Sequence, residues 1–166
     1  MDKNTQYGQI VGYLQACADI CSIKNSPVAF DFSFSRIGLS DDMLLSFKQY
    51  FINMWETDGY PDFYSGYDEL VEEFNLHFIK ICDWRKIISS SLDYWFNSLY
   101  KNDISYIKRT MLFLIDDFFN GINYEVYSFG EEDEEFIRHN FDYLNNEDYI
   151  FKTEKEIYLL HFGMND

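Results

Sequence analysis

A few groups in this chain have the residue types and spacing to do chemistry. Asp116-Asp117-Phe118-Phe119-Asn120 places polar groups at i and i+4 of a helix, where carboxylates hold Mg²⁺ bound to a diphosphate. Glu69-x-x-Glu72 places two more carboxylates about one turn apart. Cys17 and Cys21, again one turn apart, are half of a zinc site. Each set stops short of completion. Asn120 stands where a further aspartate is needed, and the helix after Glu72 offers only Asp83 and Asp93. His77, Cys82, His139 and His161 show no fixed spacing to complete a zinc site. No Gly-rich phosphate loop, Gly-x-Ser-x-Gly elbow or His-Glu-x-x-His occurs. The expectation is a protein that is not an enzyme and holds neither metal nor cofactor.

Two of these segments carry likenesses. Asp116 to Asn120 resembles the aspartate-rich Mg²⁺ motif of helical isoprenoid synthases, and the chain is about half the length such a bundle needs. Glu69-x-x-Glu72 resembles the paired carboxylates of all-helical nucleotide pyrophosphatases. These define one alternative, a small all-helical Mg²⁺-dependent phosphohydrolase using Glu69, Glu72, Asp116 and Asp117.

Helical spacing dominates the elements that would carry these groups. Tyr7, Ile10, Val11, Leu14, Cys17, Ala18 and Cys21 recur at three and four, one stripe on a first helix ending near Lys24. Val28, Phe30, Phe32 and Phe34 alternate with small or polar residues, the period-two pattern of a strand. Ser40, followed by Asp41 and Asp42, reads as the cap of a second helix that Asp58-Gly59-Tyr60-Pro61 stops. A third helical region after Ser65-Gly66 carries Leu70, Val71, Phe74, His77, Phe78 and Ile81 on one side. It runs on, or breaks near Asp83, into Ile88, Leu92, Trp95 and Phe96.

Asp103 is a cap for the next helix, with Ile104, Ile107, Met111, Leu114, Ile115 and Phe118 facing inward and Gly121 as its left-handed stop. Residues 124–129 read as a short strand pairing with 28–34. Glu131 to Glu135 begin another helix, continued by Phe136, Asn140, Phe141 and Leu144. Thr153-Glu154-Lys155-Glu156 fits a capping box for a last helix, against a competing hairpin through Tyr149–Phe162. The fold expected is mainly α: one domain over residues 1–166, a bundle of six or seven helices with a small two-stranded β element.

The 166 residues include 29 acidic and 13 basic groups, a net charge of −16, and 34 Phe, Tyr or Trp. So much aromatic area excludes a disordered acidic tail. No run of 18 apolar residues exists, which excludes a membrane-spanning helix. The N-terminal residues lack a basic stretch leading into an uninterrupted apolar segment, since Gln15 and Asp19 interrupt the one candidate. With three cysteines and no paired framework, a cytoplasmic protein with reduced thiols is expected. The charge repels nucleic-acid phosphates and anionic membranes and draws cationic partners inward.

That charge is uneven: net −3 over residues 1–60, −4 over 61–120 and −9 over 121–166. Two stretches mix carboxylates with tyrosines. One holds Asp58, Tyr60, Asp62, Tyr64, Asp68 and Glu69. The other holds Tyr124, Glu125, Tyr127, Glu131, Glu132, Asp133, Glu134, Glu135, Asp142 and Tyr143. Carboxylates accept paired hydrogen bonds from Arg and Lys, and tyrosines are rigid anchors with a polar tip. Both stretches are expected to contact a basic protein.

In size, charge, lack of export signal and lack of catalytic motifs, the chain resembles the acidic cytoplasmic immunity proteins encoded beside bacterial nuclease toxins, including those of contact-dependent growth inhibition. The resemblance implies an inhibitor that neutralises a toxin domain by occluding its active site or substrate-binding surface. A phage anti-defence protein that mimics nucleic acid is a second alternative. A subunit that assembles with itself through exposed aromatics is another.

Overall fold

Most of the helices expected from apolar spacing are present, but a five-stranded sheet lies between them and overturns the mainly α bundle. The computed structural model describes residues 2–39, 41–58, 75–97, 101–141 and 143–165. In chain order these form α1 (Lys3–Asn25), β1 (Ala29–Leu39), α2 (Met43–Asp58), β2 (Phe78–Ile81), α3 (Trp84–Trp95) and α4 (Lys101–Phe119). There follow β3 (Tyr124–Phe129), α5 (Glu131–Asn140), β4 (Asn145–Thr153) and β5 (Glu156–Asn165). The strands stand in the order β1-β5-β4-β3-β2, every pair antiparallel.

The fold is a mixed α/β sandwich with the sheet in the middle. Successive side chains of a strand point to opposite faces. Phe32, Phe34, Tyr149, Phe151, Tyr158, Leu160 and Phe162 therefore pack with α1, α3 and α4 in one core. Ile150, Ile157, Leu159 and Phe129 pack with α2 and α5 in another. The first core is rich in aromatic rings: Phe119 stacks on Phe151 at 5.0 Å, Phe34 on Tyr158 at 5.4 Å and Trp95 on Phe162 at 5.9 Å.

Double burial explains the misreading of β5. A strand covered on both faces can be apolar at successive positions, as in Ile157-Tyr158-Leu159-Leu160, and such a run has no period of two to distinguish it from a helix. Residues 157–163 are all buried. The competing hairpin is what forms. Thr153 Oγ1 accepts from Lys155 N at 3.2 Å and Glu156 N at 2.9 Å and donates to Glu156 O at 2.9 Å. The hydroxyl that suggested a helix cap serves a turn instead, the alternative use of such side chains.

Other expectations are corrected locally. Phe78 and Ile81 belong to β2, because residues 78–81 pair with β3. Leu70, Val71 and Phe74 lie outside the described residues. Residues 124–129 are a strand, but their partners are β2 and β4; β1 pairs with β5. Asp42, two residues after the expected Ser40, caps α2 by accepting from Leu45 N at 3.0 Å. Helix α4 begins before Asp103. Of the two readings around Asp83 the break is the one that forms, with Asp83 capping α3; the α1 stripe from Ile10 to Cys21 is buried except for exposed Val11, and the Gly121 stop, with φ +77°, matches.

β1 is an edge strand, and unpaired edges invite another chain. Helix α1 blocks it at two points: Ser22 Oγ accepts from Phe30 N at 2.8 Å, and Tyr7 OH donates to Phe34 O at 2.8 Å.

Candidate functional site

Helix α5 starts where β3 ends at Gly130, and its first turn is acidic because unpaired N–H groups there favour negative charge. The five carboxylates then part company. Glu131, Glu132 and Glu135 are exposed. Asp133 is buried and accepts from Gly130 N at 3.3 Å and His77 N at 2.6 Å, joining the helix start to the segment before β2. Glu134 turns toward the sheet, where Asn146 Nδ2 donates to it. Burial first, then the adjacent Asp148, pushes the Glu134 carboxyl up to about 10, so it is protonated at neutral pH.

The remaining expected contact residues scatter. Glu125 is exposed and paired with Lys80, and accepts from Tyr127 OH at 2.7 Å. Tyr124 points to the opposite face of β3 and packs on Phe119 at 4.7 Å. Tyr143 is half-buried with its ring 4.8 Å from that of His161. Tyr60, Asp62, Tyr64, Asp68, Glu69 and Asp142, and the side chain of Asp58, lie outside the described residues. The structure thus gathers Glu131, Glu132 and Glu135 on one helical turn and sends Asp133, Glu134 and Tyr124 elsewhere.

Sequence reasoning missed the polar cluster beneath α5. In β4, Asn146 and Asp148 point to the α2/α5 side of the sheet, and His161 of β5 stands directly opposite Asp148. Asp148 Oδ1 lies 2.8 Å from His161 Nδ1, and Asp148 Oδ2 accepts from Asn146 Nδ2 at 3.2 Å. The His161 side chain is 8% exposed and that of Asp148 is 1%. The facing Asp148 and, more distantly, Asp31 raise the imidazole pKa even though burial opposes it. Its Nε2 is buried with no hydrogen-bond partner among the described residues.

Beside this ring lies a cavity of about 40 Å³, lined in part by Asp31, Ser33, Tyr50, Tyr143, Asp148 and His161. The signal was present in the sequence: a hairpin turning at Glu154–Lys155 sets Asp148 against His161.

On the other face, Glu147 accepts from Trp95 Nε1 at 2.8 Å, from Ser91 Oγ at 2.6 Å and from Tyr149 OH. These donors meet its carboxylate within the fold, so the network is structural.

The candidate metal ligands do not converge. Cys17 and Cys21 are buried in the aromatic core, where burial first and then the neighbouring Cys21 push the Cys17 thiol up to about 12. Asp116 is paired with Arg85, and Asp117 accepts from Gln6 Nε2 at 2.6 Å. Glu69 and Glu72 lie outside the described residues. Among the described residues no three His, Cys, Asp or Glu side chains gather in a group that would hold a metal ion. No described helix is long and apolar enough to cross a membrane.

No protein-family model matches the chain, and no curated protein matches it. Among solved structures, the crystal structure of citrus MAF1 aligns with a TM-score of 0.49 at 11% identity, over 92% of this chain and 98% of that one. No residue role is carried over from it.

Proposed function

We propose that the chain is an immunity-type inhibitor. It works in the cytoplasm by docking the start of α5 on a basic protein, with a nuclease toxin domain as the partner class, and covers the surface that grips phosphate. One observation carries this reading: Glu131, Glu132 and Glu135 are exposed on a single turn with no basic side chain paired to them among the described residues. Several other carboxylates are already neutralised, Asp93 by Lys108, Asp116 by Arg85, Glu125 by Lys80 and Glu156 by Arg36. Like charges at i and i+4 repel by a few tenths of a kcal/mol. The helix dipole offsets that repulsion, and a cationic partner gains from the field that remains.

The test is stopped-flow association with a basic nuclease-toxin domain encoded beside the gene. Reversing Glu131, Glu132 and Glu135 to Lys together is expected to slow association at least several-fold at low salt, with a smaller effect at high salt. An unchanged rate for the triple variant defeats this reading.

A further inference from the structure

Helices α3 and α4 leave a groove of about 840 Å³ between them. Two ion pairs cross it and align the helices antiparallel. Arg85 of α3 pairs with Asp116 of α4, and Lys108 of α4 donates to Asp93 of α3 at 2.6 Å. Arg85, Ser89 and Asp93 recur at every fourth position of α3, as do Lys108, Leu112 and Asp116 on α4, so each set forms one ridge along the groove. Ser89 and Leu112 stand midway between the two ion pairs.

Charge changes sign about that midpoint. Along α3 the groove is positive at Arg85 and negative at Asp93; along α4 it is positive at Lys108 and Arg109 and negative at Asp116. Such a pattern is complementary to itself. A two-fold axis lying across both helices at the level of Ser89 and Leu112 sets α3 on α3 and α4 on α4 with directions reversed. Every positive end then faces a negative one. Arg85 meets Asp93 of a second copy, and Arg109 meets its Asp116. An unrelated partner would have to supply the reversed order of charges; a second copy already carries it.

The carboxylates have room for these contacts. The side chain of Asp93 is 63% exposed and that of Asp116 is 38%, and each carboxylate can accept further hydrogen bonds beside its present pair. Arg109 is exposed, with no carboxylate paired to it among the described residues. Phe113, 64% exposed, lines the groove beside Leu112 and so stands near the axis, and exposed Tyr106 lies one turn before Arg109. Aromatic rings around an arginine are the usual anchors of a protein interface. Charge also favours this layer for the approach of two copies. Helices α1, α3 and α4 together carry seven basic and five acidic residues, net +2, in a chain of net −16, so repulsion is weakest here.

We propose that the chain forms a two-fold symmetric dimer through the α3/α4 groove, in which Phe113 of each copy enters the groove of the other and Arg109 pairs with Asp116 across the axis. Helix α5 packs on the opposite side of the sheet, so its acidic turn stays open in the dimer. The proposal does not depend on what that turn binds.

Sedimentation velocity of the purified chain across micromolar concentrations is expected to show a reversible monomer–dimer equilibrium. Phe113→Asp and Arg109→Glu, both at exposed positions, are each expected to weaken it at least several-fold while circular dichroism shows the fold retained. Asp116→Lys alone is expected to do the same. An equimolar mixture of Arg109→Glu and Asp116→Lys chains is expected to recover the dimer, because the two substituted positions then face each other and so do the two native ones. Should Asp116→Lys fail to fold without its Arg85 pair, Phe113→Asp and Arg109→Glu decide the matter. A monomer at every concentration, a dimer indifferent to Phe113→Asp or Arg109→Glu, or a mixture of folded variants that stays monomeric overturns the proposal.

Discussion

Asp148 on β4 and His161 on β5 occupy paired positions in the antiparallel ladder, with carboxylate and imidazole Nδ1 2.8 Å apart and almost fully buried. Removing one member strands the other away from water. Asp148→Ala is therefore expected to cost about 3–5 kcal/mol in urea unfolding. Replacing both residues with Leu is expected to cost clearly less than the two single replacements added together.

Glu134 governs the response to pH. Its folded pKa, about 10, lies above the ordinary value of 4.5, so the folded protein holds a proton that the unfolded chain releases. Stability from this group is complete below about pH 4.5 and drains away as pH rises toward 10. His161 acts in the same direction, its contribution being lost as pH climbs from 6.5 through its raised pKa. The Tm is expected to fall between pH 6 and pH 9. Glu134→Gln keeps the shape, removes the titration and is expected to flatten that slope, raising Tm at pH 8 by at least about 4 °C. A slope equally steep in the variant contradicts the assignment.

Gly163 admits no side chain without movement. Gly163→Ala is expected to destabilise by about 1–3 kcal/mol, read by thermal unfolding, because the new methyl presses on the His161 and Tyr143 rings. Gly12 is the internal control: a Cβ there meets nothing within 4 Å, and Gly12→Ala in the exposed middle of α1 is expected to stabilise by roughly 0.5–1 kcal/mol.

The turn between β4 and β5 depends on one hydroxyl. Thr153→Val keeps the branched shape and removes the acceptor for Lys155 N and Glu156 N. A loss of about 1 kcal/mol in thermal or urea unfolding is expected.

What the sequence made legible follows from which faces are covered. Helix α1 buries one stripe and exposes the rest, so Ile10, Leu14 and Cys21 could be picked out by spacing alone. The β1 pattern was equally clear, with Phe30, Phe32 and Phe34 on the aromatic side and Asp31 and Ser33 on the other. β5 had no such contrast, being covered by helices on both sides, and its apolar run beside a Thr-x-x-Glu spacing reads as a helix; β4 opens on Asn145-Asn146-Glu147-Asp148, polar residues that conceal a strand covered on both faces. β2 was lost because Phe74, His77, Phe78 and Ile81 fit a helical period as well as a strand. The acids of α5 were visible as a group, but their division into exposed and inward members depends on how the helix is rotated over β4. The Asp148–His161 pair emerges only once the hairpin register is known.

β1 and β5 are neighbours in the sheet although over a hundred positions separate them along the chain. A ribosome releases Phe30, Phe32 and Phe34 long before residues 156–165 exist to complete the sheet beside them. During synthesis that aromatic strip has only α1, α3 and α4 for cover until β5 is made, and contacts so distant in sequence form slowly. Newly made chains are therefore most exposed to capture by chaperones or to clumping in this interval, and arrival of β5 closes it.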